Sequence, residues 1–501
     1  MAISGIAGNV SVLSQSVGTI DKQLADLQRQ LSTGQKADTF SGLGPQSSVA
    51  VGLSAQLAAS SSFDDTISIV GTSIDLAQGV LSQIAKTGSE VKSTAVQAPF
   101  DPDNNGVTTA QRTAQGDLDT VLAELNTQGT NGYLFSGSGS NQPSVETSNH
   151  ILNGNGSQAG LIQVIAERRQ ADLGGGLGRL VISAPTPTSV AVSEDVAGSP
   201  FGFKLAGVSS SLTGATVTGP AGSPKSISVD LGAGNPNPGD SITYTLALPD
   251  GSSETLTLQA TTSAPPGPGQ FTIGATSVAT AANLNAAITA GIGQLAQTSL
   301  SAASALAAGN DFFGNPPQRV AGPPFATATA QVAGTAANTV FWYTGENGPQ
   351  TARSTAVARI DPSITVSYGL RANEQGIRTI VQTTAVLAAT SYAAGNANAS
   401  ASYFALNQRA DLALAVTPGV QGIQNIEEDL AGARAAVSDA TTRHRQTQLT
   451  LTNLLQQIEG VSNDQVAAQL LSLQTTLSAS LSTASRLAQT SLLNFLGPVT
   501  G

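Results

Sequence analysis

The residues able to do chemistry are few. The 501-residue chain holds two histidines, His150 and His444, no cysteine, and 32 Asp and Glu residues. Without thiolates there is no cysteine nucleophile, no disulfide and no Cys-based zinc site. Two histidines exclude a cluster of His ligands and leave little for a histidine-based triad. His444 stands between Arg443 and Arg445 on a helical stretch. It is expected to be a solvated or interface side chain, with pH sensing as the alternative. The segment Asp101-Pro102-Asp103-Asn104-Asn105-Gly106 imitates the start of a calcium-binding loop. The bidentate Glu that should close such a loop is replaced by Arg112, so a polar turn between helices is expected. Gly174-Gly175-Gly176-Leu177-Gly178-Arg179 lacks the Gly-Lys-Ser/Thr ending of a phosphate cradle and reads as a flexible loop. Asp230, Asp240, Asp250 and Glu254 are the carboxylates that a polysaccharide-cleaving module in the middle of the chain would use. Turn and strand-surface roles explain them better. No G-x-S-x-G elbow is present. The expectation is a chain with no catalytic, cofactor-binding or metal-binding residues, and not an enzyme.

Composition points the same way. Charged residues make up 11% of the chain against about 25% in ordinary globular domains, and the net charge is −11. The 21 basic residues are scattered, so no stripe exists to neutralise phosphates and no nucleic-acid partner is expected. No run of 18 apolar residues occurs, and no membrane partner is expected. The first basic residue is Lys22, so the beginning does not read as a secretory signal peptide. The chain is either cytoplasmic or exported without a cleaved signal.

The elements that must position these residues begin with a strict seam. Ile3, Ile6, Val10, Leu13, Val17, Ile20, Leu24, Leu27 and Leu31 alternate spacings of three and four, which predicts a coiled-coil-like helix of about 45 Å. Thr33-Gly34 marks its end. A second helix is expected from Ser47, after Pro45, to Pro99. It carries Val49, Leu53, Phe63, Ile67, Val70, Ile74, Leu81, Ile84 and Val91 on one register. A third covers about 108–129. Helical periodicity returns near 370, with Ile377, Ile380, Val381 and Leu387, and again from Ile423 to Gly460. A last helix opens at Ser462-Asn463-Asp464 and carries Val466, Leu470, Leu473, Leu477, Leu481, Leu487, Leu492 and Phe495.

Between about 140 and 340 the heptads vanish and Pro, Gly, Ser and Thr rise. Residues 241–248 and 254–258 alternate polar with apolar around Pro249-Asp250-Gly251, which predicts a β-hairpin. An amphipathic helix is expected near 280–308. The fold class read from this pattern is mainly α: long antiparallel coiled-coil-like helices from both termini form a rod, with a β-rich central insertion. Trp342 and Tyr343 are expected in the core.

The terminal helices have apolar seams but few surface charges. Such helices are poorly stable alone, and uncharged Ser, Thr, Ala and Gln surfaces pack against neighbours without desolvating charge. The seam residues Val10, Leu13, Val17, Ile20, Leu24, Leu27 and Leu31, with the eight residues of the last helix named above, are therefore the candidate self-assembly interface. A repeated contact that does not close on itself builds a helical filament.

Leu31-Ser32-Thr33-Gly34-Gln35-Lys36 resembles the L-S-T-G-x-K/R of bacterial flagellins and their hook–filament junction relatives. The end of the chain, from Leu477-Ser478-Ala479-Ser480-Leu481 through Ser491-Leu492-Leu493-Asn494-Phe495-Leu496, is also similar to that superfamily. Tyr133-Leu134-Phe135-Ser136-Gly137 resembles the Y-L-F-x-G of the junction branch. Phe341-Trp342-Tyr343-Thr344-Gly345-Glu346 and Tyr368-Gly369-Leu370-Arg371-Ala372-Asn373-Glu374 resemble segments of alphaproteobacterial members. The resemblance implies an inner-tube domain from 1–46 with 461–501, a rod domain from 47–140 with 340–460, and an exposed, variable insertion over 141–339. It also implies a homopolymer that forms the extracellular flagellar filament. The implied partners are other flagellins, hook-associated and cap proteins, and the flagellar type III export machinery. Residues 81–88 lack the Arg-rich stretch that innate immune receptors read in many filament members. The large insertion favours a filament subunit, whereas Tyr133–Gly137 favours a junction protein.

Overall fold

A computed structural model of the chain describes residues 2–393 and 395–495, with the side chains at 2–10, 13, 487 and 490–495 outside the description. The chain falls into two compact units. One comprises Met1–Val70, Arg359–Thr365 and Ala435–Gly501, and the other Gly71–Ala358 and Val366–Arg434.

The helices are α1 (Ala2–Thr33), α2 (Ser47–Gln97), α3 (Thr109–Leu125), α4 (Ser148–Asn153), α5 (Leu161–Leu173), α6 (Ser277–Leu295), α7 (Ser301–Phe312), α8 (Gln375–Ala389), α9 (Ala399–Ala413), α10 (Ile423–Glu459) and α11 (Asn463–Phe495). The heptads correctly locate α1, α2, α10 and α11. α1 ends where Gly34 takes a φ of 70° and its amide closes onto the Gln30 carbonyl at 2.8 Å, the usual use of glycine at a helix end. α3 stops four residues before the expected limit. There the Asn126 side chain turns to bond the Val145 carbonyl at 3.0 Å and the Ser144 amide at 2.8 Å. The helix expected from 280 starts at Ser277, because the Thr276 hydroxyl caps the Ala279 amide at 3.2 Å. It passes through a π-turn over Ala296–Leu300 into α7.

The strands are β1 (Gln128–Gly129), β2 (Gly132–Tyr133), β3 (Leu180–Ser183), β4 (Ser189–Glu194), β5 (Lys204–Ser210), β6 (Thr216–Ala221), β7 (Ser226–Asp230), β8 (Ser241–Ala247), β9 (Ser253–Thr261), β10 (Gln270–Thr272), β11 (Gln318–Val320), β12 (Gln331–Ala333), β13 (Val357–Asp361) and β14 (Ile364–Ser367). Two four-stranded sheets, in the orders β3-β4-β7-β6 and β10-β9-β8-β5, lie in the second unit. The expected hairpin is β8–β9, antiparallel with Thr243 opposite Thr257. Val192, Ile227, Tyr244, Phe271, Leu284 and Ile288 from both sheets and α6 bury into one apolar core.

Three short helices escape the sequence reading. In α5 the inward face carries Glu167, Arg168 and Asp172 among its buried residues, which breaks the apolar stripe. Arg168 meets Asp172 at 3.0 Å and Asp311 at 2.5 Å, and burial pushes the Asp172 carboxyl upward against the pull of that arginine. In α9 the buried face includes Asn407 and Arg409. α4 spans only six residues, too short for a period to register.

Candidate self-association surface

Within the first unit α1 packs against α11. Their meeting point is fixed by backbone: Gln35 and Gly460 form an antiparallel bridge, Lys36 N donates to the Glu459 carbonyl at 2.7 Å, and Val461 N donates to the Gly34 carbonyl at 3.1 Å. The Lys36 ammonium donates to the Ile458 carbonyl at 2.7 Å, where a cation complements the negative end of α10. Arg29 holds Asp26 at 2.6 Å and Asp38 at 2.7 Å, which ties the last turns of α1 to the segment after it. Thus the Leu31–Lys36 stretch forms the junction from which both terminal helices depart.

The seam residues are covered unevenly. Leu27 and Val466 are buried. Val17, Ile20, Leu24, Leu470, Leu473 and Leu477 are half-buried. Leu31 keeps 41% and Leu481 51% of its surface, and Val12 and Leu471 beside them are more open still. The side chains of Val10, Leu13, Leu487, Leu492 and Phe495 lie outside the described residues. Full burial of a Leu or Val side chain is worth about 1.5–3 kcal/mol. One chain therefore leaves much of that gain unrealised along two helices of 32 and 33 residues.

The second unit brings together three motifs that are far apart in sequence. Ser136 bridges Arg371, the Gly137 amide donates to the Leu370 carbonyl at 2.9 Å, and the Ala372 amide donates to the Phe135 carbonyl at 2.8 Å. Glu346 N donates to the Ser136 carbonyl at 2.9 Å. Arg371 is ion-paired to Glu346 and donates to the Gln350 carbonyl at 2.8 Å, while Arg353 pairs with Glu374 at 2.5 Å. The aromatics close the knot. Phe135 is fully buried, Trp342 is 3% exposed, and the Tyr343 hydroxyl donates to the Glu346 carbonyl at 2.9 Å. Trp342 and Tyr343 are core, as expected. This arrangement is a structural lock in which Arg371 is paired with Glu346 and Arg353 with Glu374.

Two sequence expectations need correction. His444 is not solvated; it is 7% exposed. It lies on the face of α10 that also buries Val437, Ala440 and Leu451, and that spacing is the signal by which the sequence could have placed it. The Gly174–Arg179 segment is not a loose loop. Arg179 is buried with a φ of 66°, reaches Asp195 at 2.6 Å, and donates to the Ala326 carbonyl at 2.7 Å. Gly178 takes a φ of 61° there, and a Cβ would stand 2.3 Å from Phe203.

The calcium-like segment is a turn. The Asp103 carboxylate accepts from the Asn105 and Val107 amides at 2.8 and 3.0 Å and pairs with Arg112 at 2.9 Å. Asp101 accepts from the Thr109 hydroxyl at 2.6 Å. Of the central carboxylates, Asp230 and Asp240 accept turn amides from Gly232 and Thr213, at 3.0 and 2.9 Å. Asp250 and Glu254 are both held by Arg409, at 3.1 and 3.0 Å. No group of three or more His, Cys, Asp or Glu side chains is placed to hold a metal ion among the described residues. No helix among the described residues is long and apolar enough to cross a membrane.

Residues 8–140 match the family model of the bacterial flagellin N-terminal helical region. No curated protein matches the chain.

Proposed function

We propose that this chain, a member of the bacterial flagellin superfamily, is a structural subunit that polymerises into the extracellular flagellar filament used for swimming. The observation that carries the reading is the uneven covering of the α1 and α11 seams. Leu24, Leu470, Leu473 and Leu477 stay half-buried and Leu31 and Leu481 stay exposed in the single chain. Neighbouring copies supply the missing apolar surface. The surrounding side chains are mostly uncharged, so that packing desolvates few ions. A contact of this kind repeated head to tail, without closure, gives a filament.

In this reading the residues of 1–46 and 461–501 make the inner tube as antiparallel coiled-coil-like helices. Those of 47–140 and 340–460 make the rod, and 141–339 form the outward insertion. The chain leaves the cell through the flagellar type III apparatus and meets other flagellins, hook-associated proteins and cap proteins. Its role is mechanical rather than catalytic.

The test is assembly of the purified full-length chain, followed by electron microscopy. Long tubes are expected, and removal of 466–501 is expected to abolish them while the second unit keeps its fold. Tubes formed by the truncated chain would overturn the reading. A second reading, a junction protein at the base of the filament, is favoured by the Tyr133–Gly137 motif locked against Leu370–Ala372. Immunogold labelling separates the two: label along the whole filament supports the subunit, and label confined to its base supports the junction protein.

A further inference from the structure

Arg168 of α5 serves two acids. Its Nε donates to Asp172, one turn further on, at 3.0 Å, and its Nη1 donates to Asp311 of α7 at 2.5 Å. Its Nη2 donates to the Pro200 carbonyl at 3.3 Å, and the guanidinium lies over the Phe201 ring. All three side chains are withdrawn from water, with Arg168 keeping 5% of its surface, Asp172 0% and Asp311 19%. Asp172 also accepts the Gly202 amide at 2.8 Å, and Asp311 accepts the side-chain amide of Gln331 at 2.7 Å.

The other charges around this pair are already committed. Glu167 of α5 is held by Arg319 of β11, whose Nε donates to it at 2.9 Å. Arg179, just before β3, pairs with Asp195 at 2.6 Å. Lys204 of β5 donates to the Phe201 carbonyl at 2.8 Å and feels Glu194 and Asp195 more strongly than Asp172. α8, packed on α7, brings the uncharged Gln382 to Asn310 at 2.6 Å. Arg168 alone remains for Asp172 and Asp311, so among the described residues the cluster holds one carboxyl more than it holds cations. Two carboxylates in one buried site cannot both ionise freely, and they titrate as a pair. Burial raises both carboxyls, and the charge of Asp172 adds to the rise at Asp311; Arg168 and the amide donors oppose it.

The Gln331 bond gives the pair a mechanical role. β11 and β12 form an antiparallel hairpin. Its apolar footing is small: Val320 and Ala328, with Phe325, against Ala171 and Phe201. Residues 318–333 therefore depend on polar ties, from Arg319 to Glu167, from Gln331 to Asp311, and from the Ala326 carbonyl to Arg179 at 2.7 Å.

We propose that Asp172 and Asp311 hold one proton between them under Arg168, and that this proton keeps the hairpin 318–333 seated. With the proton in place, one carboxylate faces one guanidinium. When the proton leaves, an uncompensated charge stands beneath β12, and the hairpin lifts to let water reach Asp311, the more exposed of the two acids. The catch is closed in mild acid and opens as pH rises. The sign follows from linkage. A carboxyl whose folded value lies above its unfolded one, about 3.9, stabilises the fold fully below the unfolded value and loses that contribution as pH climbs through the folded value.

The test uses the full-length chain. Amide hydrogen exchange in β11 and β12, with intrinsic rates factored out, measures how often the hairpin opens. Opening is expected to grow between about pH 5 and about pH 8, by about tenfold for each pH unit over which the pair loses its proton. Asp311→Asn removes one charge and keeps an acceptor for Gln331. It is expected to abolish that growth and to raise the urea midpoint at the higher pH, read by Trp342, whose indole bonds the Phe313 carbonyl two residues beyond Asp311. A plain ion-pair role predicts the reverse, because Arg168 would lose a partner. A lower urea midpoint in Asp311→Asn, or hairpin opening that does not grow with pH in the wild type, would overturn the proposal. So would carboxyl NMR of the wild-type chain in which neither Asp172 nor Asp311 titrates above the ordinary aspartate value, a result that needs no variant to fold.

Discussion

His444 donates from Nε2 to the carbonyl of Ile360 at 2.9 Å, which joins α10 to the β13–β14 hairpin across 84 positions of sequence. That bond fixes the ring tautomer, so Nδ1 is left to accept from the Ser60 hydroxyl at 3.2 Å. The ring also stacks on Phe63, with centroids 5.5 Å apart. One buried side chain therefore gathers α2, α10 and the hairpin within the first unit. His444→Ala is expected to lower stability by about 1–3 kcal/mol, since it strands the Ile360 carbonyl and empties the contact with Phe63. His444→Phe keeps the stacking and is expected to lose less. Urea unfolding of the two variants beside the wild type, followed by circular dichroism, measures both.

Arg409 is the corresponding element of the second unit. It is 6% exposed and binds Asp250, 7% exposed, together with Glu254, so it anchors the β8–β9 hairpin to α9. Removing one member of a buried ion pair leaves the other charge uncompensated, which costs about 3–5 kcal/mol. Arg409→Ala is expected to lose that much. A joint change of Arg409→Met with Asp250→Leu and Glu254→Gln is expected to recover most of it. Thermal denaturation of the two variants decides the point, and a melting temperature unchanged in Arg409→Ala would refute the anchoring role.

The turn before α3 carries a defined pH dependence. The Val107 and Asn105 amides, and then Arg112, hold the Asp103 carboxyl below the usual carboxylate range. The Thr109 hydroxyl and amide do the same for Asp101. A carboxylate whose folded pKa is depressed stabilises the fold fully above its unfolded value, about 3.9. It loses that contribution as pH falls through the lower folded value. The wild-type turn is expected to stay ordered at pH 5 and to loosen below pH 4, and Asp103→Asn is expected to reduce this acid sensitivity to the share that Asp101 carries, at the cost of weaker order at pH 7. Carboxyl titration by NMR gives the two midpoints, and a midpoint for Asp103 at or above the unfolded value would refute the prediction. Because both carboxylates are already engaged, millimolar calcium is expected to leave the melting temperature unchanged.

Trp342 is the single tryptophan and is 3% exposed, with its indole N–H donating to the Phe313 carbonyl at 3.3 Å. Its emission is expected to be blue-shifted and weakly quenched by acrylamide. It reports only the second unit, so its unfolding transition is expected to be unaffected by His444→Ala. A shared shift in the fluorescence transition would show that the two units unfold together.

Seam residues offer a direct test of assembly. Leu473→Asp places a charge on the half-buried face of α11, where an assembled neighbour would have to desolvate it. Loss of tubes with an unchanged His444-dependent urea transition is expected. Normal tubes from this variant would remove that face from the interface.

Local periodicity determined much of this protein without any tertiary information. Spacings of three and four from Ile3 to Leu31 and from Val466 to Leu481 specify α1 and α11, because helical faces repeat within a few residues of chain. The alternation at 241–258 specifies the β8–β9 hairpin for the same reason, with a period of two. The family match, over residues 8–140, takes in the first of these regions from residue 8 onward. Other features rest on partners that the chain brings together only by folding. Arg409 lies 155 positions from Glu254, and His444 lies 384 from Ser60. Ser136 bridges Arg371 although neither segment has a period of its own. In α5 and α9 the buried faces hold arginine, acids and amides that look solvated in sequence. Arg168, Glu167 and Arg409 are held inside by distant partners, Asp311, Arg319 and Asp250, and such pairing leaves no trace in local hydrophobicity.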